Sequence, residues 1–214
     1  MDAEDVDPGA RDAAAVRTRY TGAAQAFLEL AGQIPRQAWS LPALGVWDVR
    51  ALTGHTSRAL TTVETYLATP ATGELVAGPV GYFLAVRGAT SPDAIALRGK
   101  ETGEALGEDP AAAVRELVHR VTALVRITPD DARVATPAGA MALIDYLPTR
   151  TFELAVHTLD LARAVGLPPP ASLAPAVAAS LELAGAIGSR LPSAGELLLL
   201  LTGRSGLPGN LSVV

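Results

Sequence analysis

Cysteine is absent from this 214-residue chain, which excludes disulfides, zinc–thiolate sites and a protein thiol nucleophile together. Any sulfur chemistry has to enter with a cofactor. Aromatic residues are scarce at 4%, too few for a base-stacking platform, and the net charge of −5 offers no basic face for phosphates. Nucleic acid is therefore not an expected partner. No uninterrupted apolar run approaches the roughly 20 residues that span a bilayer; "ELLLLL" at 196–201 is far too short. The first residues, "MDAEDVDPGARD", are acidic where a signal peptide would be basic. The expectation is a cytoplasmic protein without membrane contact.

What is present points to a folded globular chain, since 49% of it is hydrophobic and only 18% charged. Its length suits one sizeable core, or a core domain with a small appendage.

The hydrophobic spacing is helical. From Arg11 to Ile34, Val16, Tyr20, Phe27, Leu30 and Ile34 recur at that period, with Pro35 just beyond. "WSLPALGVW" (39–47) reads as an ordered loop. Asp48 is an N-cap for a helix to about Ala68, whose inner face holds Val49, Leu52, Thr56, Leu60, Val63 and Leu67, with His55 beside it. "TPATGELVAGPVG" (69–81) is loop-like. Residues 92–107 and 110–126 form two helices, each opened by a proline. "DARVATPAGAMAL" (131–143) holds one or two short extended segments. A long helix runs from about Ile144 to Val165 and stops at Gly166 and Pro168. Shorter helices at about 172–190 and 193–202 precede an irregular tail. The expected fold is all-α: helices near 11–34, 48–68, 110–126 and 144–165 pack as a bundle spanning 1–168, and 169–214 is a short helical segment packed on it.

Within the long helix, "RTFELAVHTLD" (150–160) puts Arg150, Glu153, His157 and Asp160 in an arc of roughly 80°. Phe152, Leu154, Ala155, Val156, Leu159 and Leu161 crowd the remaining surface, so the polar stripe is expected to face a cavity or the bundle interior. Glu153 and His157, at i and i+4, can converge on one ion. His55 is the natural third ligand, and His2Glu with one open position is a known catalytic zinc arrangement. A surface pair or a structural ion pair is the competing account. His119, among charged neighbours in "RELVHRV", is expected to be exposed and is assigned no role.

These residues also carry a resemblance. "VWDVRALTGH" (46–55) resembles the tryptophan-led motif, ending in a metal-binding histidine, of the mycothiol-dependent maleylpyruvate isomerase family, whose members are DinB-like four-helix bundles. "PAGAMALIDYLPTRTFELAVHTLDLARAVGLP" (137–168) is similar to its second motif, and "ELLLLLTGRSGLP" (196–208) to its Leu-rich C-terminal segment. The likeness extends from about Arg11 to Leu211, with the middle third matching only in character.

The resemblance implies that His55, Glu153 and His157 bind a metal, usually zinc, with nickel or iron as alternatives. It implies mycothiol as the thiol cofactor, placed at the metal's open position, where coordination deprotonates a thiol. Asp160 is then a group that orients an imidazole. Arg150 or Arg204 binds a substrate carboxylate, Arg150 alternatively pairing with Glu153 or Asp160, and Arg204 alternatively capping a helix. The residue after the second-motif histidine, commonly Gly in the family, is Thr158 here, which is expected to narrow the approach to the site. The C-terminal part is short beside the founding isomerases, which argues against maleylpyruvate itself. Three functions stay open: a thiol-dependent transferase or isomerase acting on a small electrophile, a zinc hydrolase with metal-activated water, and a non-catalytic metal-stabilised binding module. The oligomeric state is open too, a homodimer included.

Overall fold

The computed structural model describes residues 12–204 and 212–213. Helix, two short 3-10 turns included, makes up 67% of the described residues. The helices are α1 (Ala13–Ala31), α2 (Val49–Ala68), α3 (Gly78–Val86), α4 (Pro92–Glu104), α5 (Pro110–Ile127), α6 (Leu143–Val165), α7 (Ala174–Gly188) and α8 (Ala194–Leu201). Two small antiparallel hairpins complete it: β1 (Pro42–Leu44) with β2 (Trp47–Asp48), and β3 (Arg133–Thr136) with β4 (Gly139–Ala142). The all-α expectation holds.

The bundle forms where the apolar period runs longest. α1 packs on α5 and α6, and α2 packs on the same two helices. Tyr20, Phe27, Leu30, Leu52, Leu60, Val63, Leu147 and Leu154 are wholly or almost wholly buried between them. Burying side chains of this size stabilises the fold by about 1.5–3 kcal/mol each, before the entropic cost of ordering them. The buried Tyr146 hydroxyl donates to Thr62 Oγ1 at 3.0 Å, tying α6 to α2.

Local signals explain the boundaries. Asp48 caps α2 by accepting from the Ala51 N–H at 2.7 Å. Ser91 and Asp109 do the same for α4 and α5, each of which has Pro at its first position. α6 stops at Gly166, whose φ of +67° only glycine adopts without strain. α1 ends at Ala31, short of the expected Ile34, where Gln33 and Ile34 tighten into bonds to Leu30 and Ala31 ahead of Pro35; the expected start at Arg11 lies outside the described residues.

Two expectations need correction. Residues 39–47 are not only a loop, because β1 and β2 pair there and position Trp47. The stretch 69–81 is not loop throughout, because Gly78 opens α3; its Gly–Pro start and uniformly apolar sequence hide the helical period.

α4 lies closest against α2 at a glycine crossing. A Cβ on Gly54 would sit 2.2 Å from the Gly103 nitrogen, and one on Gly99 would sit 2.4 Å from the Trp47 indole. α7 packs on α6, α1 and α3. Averaged over Ala171–Gly188, the mean hydropathy is 1.4, so among the described residues one segment is long and apolar enough to cross a membrane by length and composition alone.

Candidate metal centre

α2 and α6 bring three side chains to one point. His55, Glu153 and His157 each offer a ligand atom, and these atoms lie within 4.8 Å of one another. The i, i+4 spacing on α6 stacks Glu153 and His157 on one face, with His157 Nε2 3.3 Å from Glu153 Oε2. On its other side, His157 Nδ1 lies 3.1 Å from Asp160 Oδ2. Across the gap, the His55 and His157 rings meet edge to face at 4.8 Å. The Trp47 ring lies 4.4 Å from His55, and its indole N–H donates to the Ala96 carbonyl of α4 at 2.9 Å. Trp47 thus holds the His55 ring from behind, and Gly99 leaves room for it.

The electrostatics separate the two histidines. Burial, reinforced by His157, lowers the His55 imidazole to about 4, so it is neutral with a free lone pair. Burial also opposes charge on His157, but the Asp160 and Glu153 carboxylates outweigh it and raise His157 to about 9. Burial pushes Glu153 up, yet the hydrogen bond from His157 and the Arg150 guanidinium bring it down to about 2.

Do these residues fit a metal? A structural ion pair would explain Glu153 and His157, but it leaves His55 unused, with Nδ1 buried and without a hydrogen-bond partner. A divalent cation uses all three donors and takes the place of the His157 proton. Two imidazoles and a carboxylate are a borderline N/O set suited to zinc, nickel or iron. The donors fit.

His55 and Glu153 open onto a cavity of about 440 Å³ walled by α2, α3, α4 and α6. Four arginines line it, Arg58, Arg87, Arg98 and Arg150, against one carboxylate, Glu153. Arg150 is 7% exposed. It donates to Thr149 Oγ1 at 2.9 Å and Tyr82 Oη at 3.3 Å, and its guanidinium lies over the Tyr146 and Tyr82 rings. Among the described residues, its hydrogen bonds go to these groups and not to Glu153 or Asp160. Because Arg150 donates to the Tyr82 oxygen, the Tyr82 hydroxyl hydrogen is left for another acceptor.

The family model described as mycothiol maleylpyruvate isomerase N-terminal domain matches residues 20–162. The chain belongs to this family. No curated protein and no solved structure matches it significantly. The matched span contains all of α2 through α5 and nearly all of α6, so the whole His55, Glu153 and His157 group lies within the family domain. α7 and α8 lie outside it.

Not every residue singled out in the sequence comes to this centre. Arg204 is exposed just past α8, where its N–H donates to the Leu199 carbonyl at 2.8 Å and Gly203 has φ of +70°. Its backbone closes that helix end, and its side chain does not line the cavity. Thr158 does not narrow the approach either: it is fully buried, away from the cavity lining, with Oγ1 unpartnered. Val156 and Leu159 are 36% and 39% exposed, so the far side of α6 faces solvent rather than core. His119 is exposed on α5.

Sequence reasoning missed Arg58, Arg87, Arg98 and Tyr82. Arg58 had a legible signal, lying one turn after His55 on the same helix. Tyr82 and Arg87 had none, because α3 itself was not recognised. Arg98 depends on how α4 packs across α2, which no local pattern encodes.

Proposed function

We propose that this protein is a divalent-metal-dependent enzyme that uses mycothiol to transfer sulfur to, or isomerise, a small electrophile bearing an anionic group. The observation that carries this is the convergence of His55, Glu153 and His157 beside a cavity with four arginines and a single carboxylate. Such a cavity concentrates anionic small molecules beside the ligand group. His55, Glu153 and His157 would hold the ion, zinc by preference, with three protein ligands and one position open. When bound, the ion supplies Lewis acidity that keeps a thiol deprotonated at neutral pH.

The chain's own residues do the rest. Asp160 fixes the His157 ring through Nδ1, leaving Nε2 toward the ligand group. Trp47 holds the His55 ring. Arg150, buried and with donors to spare, binds the carboxylate of the electrophile in a fixed orientation. Tyr82 offers its hydroxyl hydrogen to an oxygen of the same molecule. The chain has no cysteine, so no thiol of its own competes for the ion.

The test combines metal-loaded protein, mycothiol and a panel of electrophiles with and without a carboxylate, with His55→Ala as control. Turnover should require the thiol, favour the carboxylate-bearing members and disappear in His55→Ala. Turnover without thiol would instead support hydrolysis by activated water. Absence of both mycothiol binding and turnover would support a binding module.

A further inference from the structure

We propose that the electrophile held in the metal cavity also carries a phosphate ester, bound by Arg58 of α2 and Arg98 of α4. This rests on the reading of that cavity as the electrophile's site, but the phosphate contact itself does not involve the ion.

Two positive charges in the cavity have no answer in the protein. Arg58 and Arg98 are half-buried and line the same cavity as His55 and Arg150. Both charges reach His55, where they oppose its protonation. Among the described residues, no carboxylate pairs with either guanidinium and no acceptor takes its hydrogen bonds. Their nitrogens are not sealed from solvent, so a ligand can reach them. α4 is pressed against α2 where Gly103 meets Gly54, and that packing brings Arg98 to a cavity that Arg58 already lines. Like charges held partly out of water are unfavourable together until an anion joins them.

The number of charges selects the group. Glu153 belongs to the ligand group with His55 and His157, so it does not answer the arginines. Arg87 is exposed and donates to the Ser212 carbonyl at 3.5 Å. Arg150, the most buried of the four, is the one that takes the carboxylate. Arg58 and Arg98 then remain, one on each of two helices. A second carboxylate would answer only one of them. A phosphate monoester has about 1.5 to 2 negative charges at neutral pH and three acceptor oxygens, enough for both. Guanidinium groups suit it, because their parallel N–H groups meet two phosphate oxygens at once. At about 440 Å³, the cavity is within the range of small-molecule sites.

Calorimetry on the zinc-loaded full chain tests this, with glycolate as the carboxylate probe, methyl phosphate as the phosphate probe and phosphoglycolate carrying both. The series is repeated on the metal-free chain, which removes direct binding to the ion. In both forms phosphoglycolate should bind roughly tenfold more tightly than glycolate. Arg58→Gln and Arg98→Gln should each weaken phosphoglycolate and methyl phosphate roughly tenfold, the ratio one charge-assisted hydrogen bond commands, and leave glycolate within about twofold. Phosphoglycolate should also raise the melting temperature of the parent more than that of either variant, with matching circular dichroism in all three. Glycolate binding with no gain from the phosphate would overturn the phosphate site and leave the carboxylate at Arg150 standing. Methyl phosphate binding without glycolate binding would support the phosphate site and overturn that carboxylate contact. A phosphate gain confined to the zinc-loaded form, or unchanged phosphoglycolate affinity in both variants, would overturn the assignment to Arg58 and Arg98.

Discussion

Composition alone would place α7 inside the molecule and α6 nearer its surface. α6 carries Asp145, Arg150, Glu153, His157, Asp160 and Arg163, whereas Ala171–Gly188 carries one charged residue, Glu182. Yet 12 of the 23 residues of α6 are buried, against 4 of the 15 of α7. The apolar residues of α6 include large side chains on the faces that meet α1 and α2. Those of α7 are mostly alanines, and its Leu181 points outward at 65% exposure. Burial follows the arrangement and size of apolar groups, not their number. Of the charges of α6 only Arg150 is buried, with aromatic rings flanking it; Glu153, His157 and Asp160 are half-buried and answer one another, and Arg163 is exposed.

Substitution in the two helices should break this comparison or sharpen it. Leu161→Ala, at a wholly buried position of α6, should cost about 2–5 kcal/mol in urea unfolding. A loss under about 1 kcal/mol would mean α6 is not the central helix.

Asp160→Asn keeps the shape and removes the charge behind His157. It should weaken metal binding roughly 10–100-fold, as removal of such an outer partner typically does, with little change in fold. Unchanged affinity would detach Asp160 from the site.

The metal-free protein should lose stability as pH rises from about 6.5 through 9. His157 is raised to about 9 in the folded state, so its contribution is complete below the unfolded value of 6.5 and gone above 9. Glu153, lowered to about 2, contributes above its unfolded value of 4.5 and is lost only as pH falls through 2. Thermal melts between pH 6 and 10 check the first. A flat profile would contradict the Asp160–His157–Glu153 array.

The smallest effect belongs to α7. Leu181→Ser should change stability by no more than about 0.5 kcal/mol, the usual range for exposed positions. A loss above about 1 kcal/mol would show that another surface covers this face.

Much of this arrangement was legible in the sequence, because the bundle helices have long apolar periods and clear caps. Asp48, Pro92, Pro110 and Gly166 mark boundaries that the structure keeps. Glu153, His157 and Asp160 could be grouped because helical spacing is enough to do so. His55 is on another helix and was joined to them by its place beside that helix's inner face, in a chain with only three histidines, and then by its motif, not by any spacing rule. The cavity walls were not legible. α3 begins with Gly–Pro and shows no amphipathic stripe, and the approach of α4 to α2 rests on the Gly54–Gly103 crossing between residues far apart in the chain. Long-range packing of that kind leaves no periodic trace.

The most direct measurement is a zinc titration of the metal-free protein, followed by calorimetry and by elemental analysis after desalting. The account predicts one ion per chain for the parent protein and for His119→Ala, whose histidine is exposed on α5. It predicts loss of the ion in His157→Ala and in Glu153→Gln. Full-affinity binding of one ion in His157→Ala would contradict it.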